Sequence, residues 1–155
     1  MRTQIWVTVV ASLLAGACSK EVDEYKRRST ATEGQLTLHR LVKDLKVALV
    51  RDDQYPIATT ELTPATPCCG QPDHKCAPDR AIWDAEPWKT LEFSIDDPFR
   101  YRVAYASDGK SFTVKVVGDL DCDEQEDAHE VFSATGSRDA QGAPVVVFSD
   151  DKRRK

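Results

Sequence analysis

The stretch FRYRVAYASDGKSFTVKVV, residues 99–117, decides the fold. Phe99, Tyr101, Val103 and Tyr105 alternate with Arg100, Arg102 and Ala104, the period-two pattern of a strand buried on one face. Ser107-Asp108-Gly109-Lys110 follows, and its Asp-Gly pair supplies the backbone conformations that a tight hairpin turn requires. Phe112, Val114 and Val116 then make the returning strand. Two strands with one shared apolar face need a second layer to cover it.

Further strands are expected on either side. Residues 130–135 and 144–149 read as short strands, the latter around Pro144-Val145-Val146-Val147-Phe148. Upstream, Leu91, Phe93 and Ile95 also alternate with polar neighbours before the Asp96-Asp97-Pro98 turn, so a strand is expected there too. The covering layer comes from residues 23–52, where Leu38, Leu41, Val42, Leu45, Ala48 and Leu49 recur at helical spacing. Arg40, Lys43, Asp44 and Lys46 lie off that stripe. Thr30-Ala31-Thr32-Glu33 has the form of a capping box, which places the start of the packed part near residue 30. Asp23 to Arg28 would extend the helix as an exposed, charged leader, and Asp52, Asp53 and Pro56 end it. The expected class is α+β, with a long N-terminal helix packed on a four- or five-stranded antiparallel sheet.

Residues 54–88 form a loop with six prolines, Gly70 and three cysteines, too long to be ordered without help. Trp83 and Trp88 read as packing anchors in it. Cys68, Cys69, Cys76 and Cys122 are an even set that allows three disulfide connectivities. A bond between the adjacent Cys68 and Cys69 would close a strained ring, so each is expected to reach elsewhere. One would close the loop to Cys76 and the other would tie it to Cys122. The rival is a zinc site from Cys68, Cys69, His74 and Cys76, which adjacent cysteines serve poorly because two thiolates must face one ion.

The chain starts MRTQIWVTVVASLLAGAC, residues 1–18. The apolar run from Ile5 to Ala17 would span only about 20 Å as a helix, short of the ~30 Å hydrocarbon layer, and suits a signal peptide. Leu14-Ala15-Gly16-Ala17-Cys18 resembles the lipobox of bacterial lipoproteins, although Ala15 stands where that family prefers Leu. The resemblance implies cleavage before Cys18, lipidation of its thiol and a membrane held through that anchor. Ser19 in second place favours the outer membrane by analogy. The organisation expected is a signal peptide over 1–17, a lipid-anchored charged leader over 18–29, the domain over 30–149 and a basic tail over 150–155. Export also fits an even set of oxidised cysteines.

Formal charge is −5, from 21 basic and 26 acidic residues. A net acidic domain repels polyphosphate, so nucleic acid is not an expected partner. The closing Lys152-Arg153-Arg154-Lys155 reads as a solvated tail. Asp119, Asp121 and Asp123 lead an acidic run continuing to Glu130, and their alternation makes calcium a candidate ion. Glu124 occupies the place where an EF-hand loop has glycine, and Cys122 lies inside the run, which suggests a stapled acidic turn instead. His39, His74 and His129 belong to no hydrolase or phosphate-loop motif, so no catalytic residue is assigned and an enzyme is not expected.

The chain resembles the globular head of type IV pilin-like proteins. The likeness rests on Tyr25 to Glu33 continuing to Leu36 and Leu41, on Trp88-Lys89-Thr90-Leu91-Glu92-Phe93 with Pro98-Phe99-Arg100-Tyr101, and on Phe112-Thr113 with Gly118-Asp119-Leu120-Asp121. It implies a helix packed on an antiparallel sheet with a variable loop between, here disulfide-braced, and pilus or secretion-machinery proteins as partners. The chain departs from pilins in lacking their cleavage motif and their apolar span of about twenty residues, so assembly through a helix bundle is not expected. The alternatives are a structural lipoprotein unrelated to pili and, third, a periplasmic metal-dependent hydrolase using the acidic loop.

Overall fold

The computed structural model describes the backbone of residues 4–123 and 130–149, and side chains from residue 21 onward apart from 23 and 24. Helix α1 runs Gln4–Asp52. Strands β1 (Ala58–Thr59), β2 (Arg102–Ser107), β3 (Phe112–Val117), β4 (Val131–Arg138) and β5 (Pro144–Phe148) form one antiparallel sheet in the order of the chain. Two single-turn helices, α2 (Arg80–Trp83) and α3 (Trp88–Leu91), sit between β1 and β2. The architecture is α+β: one helix packed on a five-stranded antiparallel meander, with disulfides in the connecting loop. Among the described residues, no helix is long and apolar enough to cross a membrane.

The stripe expected from spacing is the stripe that packs. Leu38, Leu41, Val42, Leu45, Ala48 and Leu49 are all buried against Tyr101, Val103, Tyr105, Val114, Val116 and Phe132 on the inner sheet face. Among the described residues, the packed stretch of the helix starts with Ala31, the first buried side chain. The capping box does not start it. The helix passes straight through: Thr30 Oγ1 donates to the Lys26 carbonyl at 2.9 Å, and Glu33 turns outward to the sheet. At Gly34 the helix backbone lies tight against two rings, and an added Cβ would lie 2.6 Å from the Tyr101 ring and 2.8 Å from that of Phe132. The helix stops as expected at Asp52. Asp53 adopts φ 57°, and Arg138 from the end of β4 donates to its carbonyl and, at 2.7 Å, to its carboxylate.

The hairpin falls where the Asp-Gly pair put it, with Tyr105 opposite Val114 and Ser107 opposite Phe112. Asp108 Oδ1 accepts from the amides of Lys110 and Ser111 and holds the turn. These bonds, that from the Ser111 amide foremost, keep the Asp108 carboxyl below the usual carboxylate range.

Two strand expectations are corrected. Residues 90–95 are not a strand, because Trp88–Leu91 is a helical turn that ends at Glu92 in the left-handed conformation. Leu91 and Phe93 are both buried, yet the apparent alternation comes from this chain reversal around the Trp83–Trp88–Phe93 ring cluster. The fifth strand is instead β1, inside the proline-rich loop, where Ala58 and Thr59 pair with Ser107 and Ala106. Two residues are too few to show a period. Trp83 and Trp88 are buried edge-to-face, as packing anchors should be.

Two outcomes are expected. Gly34→Ala will lower the denaturant midpoint, because overpacking against two rings costs about 1–3 kcal/mol and outweighs the helix-propensity gain of about 1 kcal/mol. A raised midpoint would show that the helix and sheet are not in close contact there. The second concerns Tyr105, whose hydroxyl donates to the Pro56 carbonyl at 2.6 Å and whose burial pushes its pKa up to about 12. The raised folded value means that its contribution is complete below pH ~10, where the unfolded phenol ionises, and is lost as pH rises towards 12. Stability measured across that interval will fall less steeply in Tyr105→Phe.

Candidate functional site

The densest chemistry among the described residues lies where the cysteine loop meets the turn after β3. Cys68 and Cys69 occupy successive positions of a tight 3₁₀ turn, Cys68–Gly70, so their side chains leave in different directions. Cys68, buried, bonds to Cys76, also buried, with Cα atoms 4.6 Å apart. Cys69 bonds to Cys122 across 53 residues, with Cα atoms 5.7 Å apart. The first bridge is stitched to the lead-in of β2, since the Cys76 amide donates to the Phe99 carbonyl at 2.8 Å and the Phe99 amide donates back at 3.1 Å. The second pins the acidic turn to the loop. One cysteine of the adjacent pair reaches Cys76 and the other Cys122, as expected, and the structure decides which.

With all four sulfurs in disulfides, the zinc alternative fails, because zinc takes thiolates. His74 sits beside the second bridge, its Nδ1 3.0 Å from the Cys69 carbonyl oxygen and 3.6 Å from Cys122 Sγ.

The acidic turn is built around a buried carboxylate. Glu130, 1% exposed, accepts from the Leu120 amide at 2.7 Å, and its own carbonyl accepts from the Gly118 amide at 2.8 Å. A carboxyl group buried this deeply is tolerable only when hydrogen-bonded. Composition places Glu130 among surface acids; in the fold it is a core bracket for the turn. Cys122 takes φ 59°, and Asp119 Oδ1 accepts from the Asp123 amide at 3.1 Å. Asp119, Asp121 and Asp123 thereby bring one carboxylate oxygen each within 4.8 Å of one another. These oxygens could contact a hard cation, but calcium takes six to eight and Asp121 also accepts from Arg27 at 2.9 Å. The described residues therefore supply only part of a calcium shell. Glu124, Glu126, Asp127 and His129 lie outside them, as do the side chain of Cys18 and the tail from residue 150.

Two links have no counterpart in the sequence pattern. Arg27, assigned to an exposed leader, is the residue paired with Asp121. Glu33 accepts from the Arg100 amide at 2.6 Å and from its guanidinium at 3.2 Å, tying the helix to the lead-in of β2. Neither has a sequence signal, because the partners are 94 and 67 residues apart. His39 lies against Phe148, ring centroids 4.5 Å apart. Compared with known protein families, curated proteins and solved structures, the chain matches none.

The bridges should differ in weight. Closing 53 residues restricts the unfolded chain by about 4 kcal/mol, and closing 8 by about 2.5 kcal/mol. Replacing Cys69 and Cys122 by serine should lower the melting temperature by roughly 8–16 °C, more than replacing Cys68 and Cys76. Thermal unfolding of the two double variants checks the order, and the reverse order would mean that native strain or packing outweighs loop closure.

Proposed function

We propose that this chain is an exported lipoprotein, anchored through Cys18, that displays the disulfide-braced domain as a binding or assembly module at the cell envelope and is not an enzyme. The observation that carries this reading is the cysteine pairing. Cys68–Cys76 and Cys69–Cys122 account for four of the five cysteines, as an oxidising compartment favours. The fifth, Cys18, closes the lipobox-like Leu14-Ala15-Gly16-Ala17-Cys18. Cleavage before Cys18 would leave the packed stretch of α1 untouched, since every buried side chain among the described residues lies at or after Ala31. Residues 18–26, ahead of the Arg27–Asp121 pair, would then act as a helical spacer of roughly 13 Å between lipid and domain. Two or more acyl chains on Cys18 would make the attachment stable, where one would not.

The finer reading is a pilin-like head carried on a lipid anchor, with pilus or secretion-machinery proteins as partners and the outer membrane as the favoured destination. It is supported by a helix packed on an antiparallel meander, with the variable loop between them.

The test is intact-mass spectrometry of the protein recovered from membranes, after growth with a clickable palmitate. The expected species begins at Cys18, carries diacylglyceryl and acyl mass, and contains two disulfides. Cys18→Ala should lose the label and leave the membrane fraction. A product that retains Met1, or one cleaved with an unmodified Cys18, would defeat the proposal.

A further inference from the structure

A cleft of about 470 Å³ lies between the cysteine loop and the outer side of β2 and β3. That size falls within the range of small-ligand pockets, roughly 300–1,000 Å³. Leu62, Pro67, Val117 and the Cys69–Cys122 bridge give it apolar walls. Arg100, in the bend before β2, and Arg102, its first residue, both line it. Asp119 lines it as well.

The two guanidinium groups are not equivalent. Arg100 donates to the Glu33 carboxylate at 3.2 Å, so its charge is matched. Arg102 donates to the Ala65 carbonyl at 3.2 Å, an uncharged acceptor that holds the group in place while leaving its positive charge unmatched by that contact. A guanidinium has five N–H donors in a planar fork suited to a carboxylate, so further donors remain for a ligand. We propose that the cleft binds a small apolar molecule ending in a carboxylate, with Arg102 as the carboxylate's partner and the apolar walls around the hydrocarbon body. Asp119 opposes a second negative charge, which favours monoanions over dicarboxylates or phosphates. The site depends on the Cys69–Cys122 bridge for one wall and is independent of how the chain is anchored.

The experiment is calorimetric titration of the full chain, purified in a non-ionic detergent, with hexanoate and with N-acetyl-leucine. Each is compared with its neutral counterpart, hexanamide and N-acetyl-leucinamide. At least one carboxylate should bind saturably at one site, with its amide about tenfold weaker or more, as loss of a charged hydrogen bond requires. Tighter binding of hexanoate points to a fatty-acyl source, and tighter binding of N-acetyl-leucine to an amino-acid one. Arg102→Ala should weaken carboxylate binding about tenfold or more and leave amide binding unchanged, with Arg102→Lys between. Absence of saturable binding by both carboxylates, or equal binding of acid and amide, overturns the proposal. The acid–amide comparison is made on the unaltered protein, so it decides the matter even if an Arg102 variant does not fold.

Discussion

One contact organises this molecule: the apolar stripe of α1 from Ala31 to Leu49 lying on the inner face of a five-stranded meander. Each layer covers the apolar face of the other. An isolated helix owes its stability in a protein mainly to the packing of its apolar face, and a sheet with one greasy side must cover it. Gly34 shows how close the two layers come, since nothing larger fits between the backbone there and the rings of Tyr101 and Phe132. From that contact follow the anchoring of β2 by Glu33 and Arg100 and the closing of the helix end by Arg138 from β4.

The loop between helix and sheet is ordered by other means. It contributes only two residues to the sheet and two single-turn helices. Its own small core is aromatic: Trp83, Trp88, Phe93 and Phe99 pack ring against ring. The two disulfides then fasten it at separate points, to the lead-in of β2 through the Cys76–Phe99 pairing and to the turn after β3 through Cys122. This division of labour leaves a cleft beside the bridges without loosening the main core. A surface loop carrying a site on a rigid scaffold is the common arrangement for recognition.

The acidic turn shows how far composition alone can mislead. Seven acids between residues 119 and 130 look like one solvated cluster or one ion site. In the fold their roles divide. Glu130 is buried and hydrogen-bonded to backbone amides, Asp121 is paired with Arg27, and Asp119 brackets the amide of Asp123. The same chemistry braces the interior at one position, an ion pair at another and a turn at a third.

Residues whose signal is local were legible in the sequence alone. The helical stripe of 38–49, the alternation of 102–116 and the Asp-Gly turn each report a period or a backbone preference within a few neighbours and appear as read, whereas Phe99 to Tyr101 are buried or bent ahead of β2 and not part of it. The need for two disulfides was also legible, since four cysteines without metal spacing leave little else in an oxidising setting. What spacing could not reveal was anything joining distant segments: which of Cys68 and Cys69 reaches Cys122, that Glu33 binds the lead-in of β2 instead of capping a helix, that Glu130 is interior, and that Arg100 and Arg102 face a cleft. The false strand at 90–95 and the unseen β1 have the same origin. A short apolar alternation is compatible with a strand or with a turn wrapped around an aromatic cluster, and only burial against the rest of the chain selects between them.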